Sequence, residues 1–74
     1  MKKLTKENFK SFTQNELVLV LFGSSTCSPC KMTAKILDEM DTGNILKTKV
    51  LVEDNMELAK EYKVELLPTL LLLD

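Results

Sequence analysis

An uninterrupted apolar run, Leu17-Val18-Leu19-Val20-Leu21-Phe22, leads through Gly23-Ser24-Ser25-Thr26 into the chain's only two cysteines, Cys27 and Cys30. No other feature restricts the fold as strongly. The run is apolar on both alternating faces, as expected of a central strand covered on both sides. From Pro29 to Met40 the apolar spacing turns helical, so Cys27-Ser28-Pro29-Cys30 stands where a strand hands over to a helix N-terminus. Unpaired amide N–H groups and the helix dipole favour negative charge there. A thiolate is the nucleophile in disulfide exchange, and such a position lowers a cysteine pKa into the range of about 3.5–7.5.

The two sulfurs have different prospects. Cys27 precedes the first turn, so its sulfur can face solvent and an incoming disulfide. Cys30 lies inside that turn, where it can attack a mixed disulfide but is harder for a partner to reach. Pro29 suits an early helical position, because its missing N–H would be unpaired there anyway. A spacing of two residues lets both sulfurs reach bonding distance without unwinding the helix. The bland alternatives are an inert buried pair or half of a zinc site. Zinc normally takes four N or S ligands, and with no histidine and no third cysteine only an intermolecular site could complete it.

Val18-Leu19-Val20-Leu21-Phe22, then Cys27-Ser28-Pro29-Cys30-Lys31-Met32, then Leu66-Leu67-Pro68-Thr69 together resemble the thioredoxin family, collinearly over almost the whole chain. Ile36-Leu37-Asp38-Glu39 after the cysteines and Tyr62-Lys63-Val64 before the proline extend the match. The resemblance implies an α/β thioredoxin-like fold, a central mixed sheet with helices on both faces. It implies a thiol–disulfide oxidoreductase in which Cys27 and Cys30 are catalytic and Pro29 and Lys49 support them. Thr26, Ser28, Leu67 and Pro68 would then contact substrate, with a cis Leu67–Pro68 bond against the disulfide. No cofactor beyond the Cys27–Cys30 disulfide is expected. Expected partners are disulfide-containing proteins and a thioredoxin reductase or thiol reductant.

The chain departs from the family pattern in several places. Where the family has a buried aspartate beside its partly buried lysine, Leu21 stands here, so Lys49 lacks that partner. Thr26 replaces the common tryptophan before the first cysteine, and Ser28 the common glycine after it. The family continues past its Pro-Thr strand with another strand and a helix, whereas the sequence stops at Asp74. The expectation is one domain over residues 1–74, incomplete at its C-terminus, whose last strand is an exposed edge favouring homo-oligomers. These departures keep a second reading open, a degenerate thioredoxin-fold module for binding or oligomerisation with weak or no redox activity.

Seventy-four residues make one small domain, burying only about 60% of its unfolded surface. A net charge of −1 without a basic cluster argues against nucleic-acid binding. Lys2, Lys3, Lys6 and Lys10 read as a solvated helix face. No apolar stretch follows Met1-Lys2-Lys3, and Leu17–Phe22 is too short to span a bilayer. Two cysteines at redox spacing without a signal point to a cytoplasmic protein that does not engage membranes.

The remaining pattern predicts a helix over about 6–14, with Thr5 as its N-cap, Leu4 and Phe9 as a staple, and a break at Gln14-Asn15. A second helix runs from about Ser28 to Asp41, stopped by Gly43. Its apolar residues Cys30, Met32, Ala34, Ile36, Leu37 and Met40 cover a broad arc that asks for more than one neighbour. A strand is predicted over Ile45–Glu53, then a helix over Asn55–Lys63 burying Met56, Ala59 and Tyr62. The last strand runs Thr69–Leu73.

Overall fold

The computed structural model describes residues 1–14 and 17–74. Its order is β1 (Lys2–Lys3), α1 (Phe9–Thr13), β2 (Val18–Gly23), α2 (Ser28–Glu39), β3 (Leu46–Leu51), a 3-10 turn (Val52–Asp54), α3 (Met56–Glu61) and β4 (Thr69–Leu73). The strands form one sheet in the order β1-β3-β2-β4. β1 and β2 run parallel to β3, and β4 runs antiparallel to β2. The sheet is therefore mixed, with the apolar run of β2 at its interior.

Register sorts the side chains into two layers. Val18, Val20 and Phe22 stand beside Leu46, Thr48 and Val50 of β3 and beside Leu73, Leu71 and Thr69 of β4. That face packs with Leu4, Phe9 and Leu58 into the main core. Leu19 and Leu21 stand beside Lys47 and Lys49, and beside Leu72 and Leu70, on the opposite face. That second face meets α2, whose Cys30 and Leu37 are buried. Helices thus cover both faces, as the resemblance implied.

The basic start differs from its expected helix face. Lys2 and Lys3 pair with Thr48 and Lys49 as a parallel edge strand, and the Leu4 N–H continues the ladder to the Lys49 carbonyl at 2.8 Å. Fully burying Leu4 keeps residues 2–4 extended, so α1 begins a turn later than predicted. Thr5 consequently caps nothing with its hydroxyl; its own N–H donates to Asn8 Oδ1 at 2.7 Å. Leu4 and Phe9 do join in the core. Of the expected break at Gln14-Asn15, Asn15 lies outside the described residues.

β3 ends at Leu51, two residues before the expected Glu53, because Asn55 turns the chain. Its buried side chain donates from Nδ2 to the Leu51 carbonyl at 2.9 Å and accepts from the Lys6 N–H at 2.9 Å. One asparagine so ties three segments, leaving no polar atom unpaired at a site where that costs about 1–3 kcal/mol. Thr48, also fully buried, solves the same problem by donating to the Leu19 carbonyl at 3.0 Å. On α3 the expected inward residue Met56 is instead 63% exposed, and Leu58 is buried. The helix is turned so that Leu58 and Tyr62, four apart, face the core. There the Tyr62 ring lies 5.4 Å from Phe9 and 6.1 Å from Phe22.

α2 ends at Glu39, before Gly43, which adopts φ +61° in the following turn. Its last carbonyls are gathered by a single cation. Lys47 Nζ donates to Leu37 O and Met40 O at 2.8 Å each and to Asp38 O at 3.3 Å. A cation at a helix C-terminus stabilises by about 0.3–1 kcal/mol, and more where partly buried. The broad apolar arc of α2 divides into two stripes. Cys30, Ala34 and Leu37 turn inward, while Met32, Ile36 and Met40, spaced by four, remain 69%, 57% and 48% exposed.

Candidate active site

β2 and β3 end together, with Gly23 beside Leu51, and β4 begins at that same end, with Thr69 beside Phe22. Three connecting segments therefore converge there: Ser24–Cys27, Val52–Asp54 and Leu66–Pro68. Ligands of open α/β sheets characteristically sit at the carboxyl ends of parallel strands. The cysteines occupy this end.

Cys27 is the N-cap of α2, with extended backbone at φ −92°, ψ 105°, and Pro29 stands in the first turn. Its sulfur accepts the Cys30 N–H at 3.2 Å, so the sulfur itself takes up one of the helix's unpaired donors. Cys27 and Cys30 are disulfide-bonded, with Cα atoms 5.2 Å apart, within the range for such a bond. Cys27 is half-buried and Cys30 only 4% exposed, the asymmetry expected from their places in the turn. Thr26, Ser28 and Pro29 are all exposed around them.

Beneath Cys30 lies a cleft of about 70 Å3 lined by Leu21, Gly23, Ala34 and Lys49. Leu21 and Lys49 are register partners, so Lys49 reaches the layer under the inner cysteine with a leucine beside it. Gly23 closes the cleft and ends β2 rather than opening the loop that leads to Cys27. A Cβ on Gly23 would stand 3.0 Å from Cys30 Cβ and 3.2 Å from its sulfur, so the absent side chain is what lets α2 start this close to β2. Leu67 and Pro68, both half-buried, lie at the same end and share a cis peptide bond.

Sequence reasoning missed Glu53. Its carboxylate, on the 3-10 turn, accepts the Ser25 N–H through Oε1 at 3.0 Å and Oε2 at 3.3 Å, and the Ser25 hydroxyl through Oε2. The Ser25 hydroxyl, then its N–H, hold the Glu53 carboxyl below the usual carboxylate range, with Lys3 adding a smaller pull. In the sequence Glu53 reads as the end of the strand Ile45–Glu53, and nothing points it at a loop 28 residues earlier. Among the described residues no group of three or more His, Cys, Asp or Glu could hold a metal ion, and no helix is long and apolar enough to cross a membrane.

The family model of thioredoxin matches residues 1–74. The chain belongs to the thioredoxin family. Its function is thiol–disulfide oxidoreduction, the chemistry for which a Cys-x-x-Cys pair at a helix N-terminus is suited. It is 42% identical over 74 residues to a thioredoxin of Bacillus subtilis, covering 96% of this chain and 71% of that protein. With a thioredoxin of Chlamydia caviae it shares 38% over 74 residues, covering 97% and 72%. Among solved structures, a mutant thioredoxin from Halobacterium salinarum superposes with a TM-score of 0.86 at 25% identity, over 97% of this chain and 66% of that one. The chain thus spans about seven-tenths of these curated relatives and just under two thirds of that structure.

Proposed function

We propose that residues 1–74 act as a single thioredoxin-like unit that reduces protein disulfides, with Cys27 attacking and Cys30 resolving. The Cys27 thiolate attacks one sulfur of a substrate disulfide; a Cys27–substrate disulfide forms and the second substrate sulfur leaves as a thiolate. Cys30, as its thiolate, then attacks the Cys27 sulfur, the Cys27–Cys30 disulfide forms, and the first substrate sulfur leaves. Two electrons pass to the substrate, whose thiolates take up protons from water according to pH. A thioredoxin reductase or a low-molecular-weight thiol returns two electrons to the pair. The observation that carries this reading is the half-accessible Cys27 at the N-cap of α2 with Cys30 buried one turn behind it.

Thr26, Ser28 and the Leu67 backbone beside Pro68 are the proposed substrate contacts, since all lie at the cysteine end of the sheet. Pro29 sets the first turn, and Lys49 supplies positive charge beneath Cys30 without the carboxylate that the resemblance would place at Leu21. The reducing cytoplasm is the proposed compartment, because a free dithiol persists there. Insulin turnover with dithiothreitol as reductant tests the proposal. Many disulfides reduced per chain are expected; a rate no greater than dithiothreitol alone would leave only a binding module.

A self-association reading stands on a separate observation. β4 is an outer strand whose Leu70 and Leu72 remain 45% and 57% exposed on the face shared with α2, and α2 adds its own bare stripe at Met32, Ile36 and Met40. Leaving a few hundred Å2 of apolar surface in water forgoes several kcal/mol at about 25 cal/mol per Å2. A second copy of this chain, pairing along β4, would cover it and saturate the open edge. Light scattering at micromolar concentration is expected to give at least a dimer mass. A monomer mass there ends this reading without touching the redox one.

A further inference from the structure

We infer that Glu53 is a positioning residue for the redox site, clasping Ser25 so that the loop delivering Cys27 is held in one arrangement. The inference rests on Cys27 being the attacking sulfur. Loop residues 24–26 are tied mainly at their ends: Gly23 is locked in the sheet beside Cys30, and the Cys27 N–H reaches back to Ser24 O at 3.3 Å. Between those ends Ser25 and Thr26 are exposed, and Ser24 and Thr26 share only a long hydroxyl contact of 3.4 Å. Glu53 comes from across the sheet end and takes both polar donors of Ser25 on one carboxylate.

Several features make this more than a surface contact. Three donor–acceptor pairs converge on one charged group, and charge-assisted hydrogen bonds are about twice as strong as neutral ones. The glutamate is carried on a turn that is itself held, because Asn55 bonds the Leu51 carbonyl on one side and the Lys6 N–H on the other. The charged groups near Glu53 are Lys3 from β1 and Lys60 and Glu65, which line the same groove beside it. None of those competes for Ser25. Ser25 lies two residues before Cys27, so the clasp acts on the direction from which the chain enters the N-cap.

The test uses the 74-residue chain in a Cys30→Ser background, where only Cys27 can react. The readout is the pH profile of its second-order rate with the aromatic disulfide dithiobis-nitrobenzoate, which separates the thiolate pKa from the plateau rate. Without the clasp the competent loop arrangement is only a fraction of the ensemble, and the rate falls by that fraction. A loss of about threefold to tenfold in the plateau is expected for Glu53→Ala, with the Cys27 pKa unmoved. Glu53→Gln keeps a carbonyl acceptor at the same reach and should recover part of the loss. Ser25→Ala should slow the plateau in the same direction, and adding it to Glu53→Ala should cost little more, as for two halves of one interaction. Circular dichroism confirms that each variant is folded. If Glu53→Ala and Glu53→Gln alike lower the Cys27 pKa while Ser25→Ala does nothing, Glu53 acts only by charge and the clasp is overturned. Unchanged plateaus overturn it as well, with the functional reading intact. An unreactive Cys27 in the parent overturns both.

Discussion

Cys27→Ser is expected to reduce disulfide turnover to the level of the reductant alone, and Cys30→Ser to leave the chain covalently joined to its substrate through Cys27. The asymmetry follows from where each sulfur sits. Cys27 is half-buried at the N-cap, where the unpaired amides and dipole of a 12-residue helix stabilise a thiolate. Cys30 is 4% exposed over the cleft formed by Leu21, Gly23, Ala34 and Lys49, within reach of Cys27 but not of a bulky partner. Removing Cys27 leaves a thiol that no substrate protein approaches. Removing Cys30 leaves an attacker with no resolving group, so the mixed disulfide accumulates until an external thiol clears it. Intact-mass spectrometry after mixing each variant with a disulfide substrate measures this directly. Adduct on Cys30 in the Cys27→Ser chain, formed as fast as on Cys27, would invert the assignment.

Phe22→Ala is expected to cost about 3–5 kcal/mol, the range for truncating a buried phenylalanine. Phe22 is fully buried on β2, between Val50 and Thr69 in the register and 6.1 Å from the Tyr62 ring. It joins sheet to α3 within the main core. A chain of this size has roughly 4–11 kcal/mol to lose at about 0.05–0.15 kcal/mol per residue. The substitution should therefore leave the protein marginal or unfolded near room temperature. Chemical denaturation followed by circular dichroism decides it: a midpoint within error of the unsubstituted chain would mean that Phe22 does not anchor the core.

The parts of this molecule legible in its sequence are those whose cause is local. Val18 to Phe22 is apolar at every position, which only an interior strand uses, and Pro29 beside Cys27 and Cys30 marks a helix start. The pairing of Leu21 with Lys49 under Cys30 was accessible through the resemblance to thioredoxin. What could not be read depends on contacts across the chain. Lys2 and Lys3 carry no strand signal; they are extended because Leu4 is buried and its N–H pairs with Lys49. Met56 fits an inward helical position as well as Leu58 does, and the choice is made by the rings of Phe9 and Phe22 that Tyr62 must meet. Glu53 reads as the last residue of a strand and Asn55 as the first of a helix, and their partners, Ser25 and Lys6, lie far away in sequence.

The crown of Lys47 over the end of α2 bears on how the site changes oxidation state. The lysine rises from β3, so the far end of α2 is fastened to the same sheet whose Gly23 abuts Cys30 at the near end. A rod clamped in this way cannot swing as a whole when the sulfur–sulfur bond opens. The geometry leaves motion to the first turn, a handful of atoms around Cys27. Little of the surroundings must then rearrange for electrons to move in either direction.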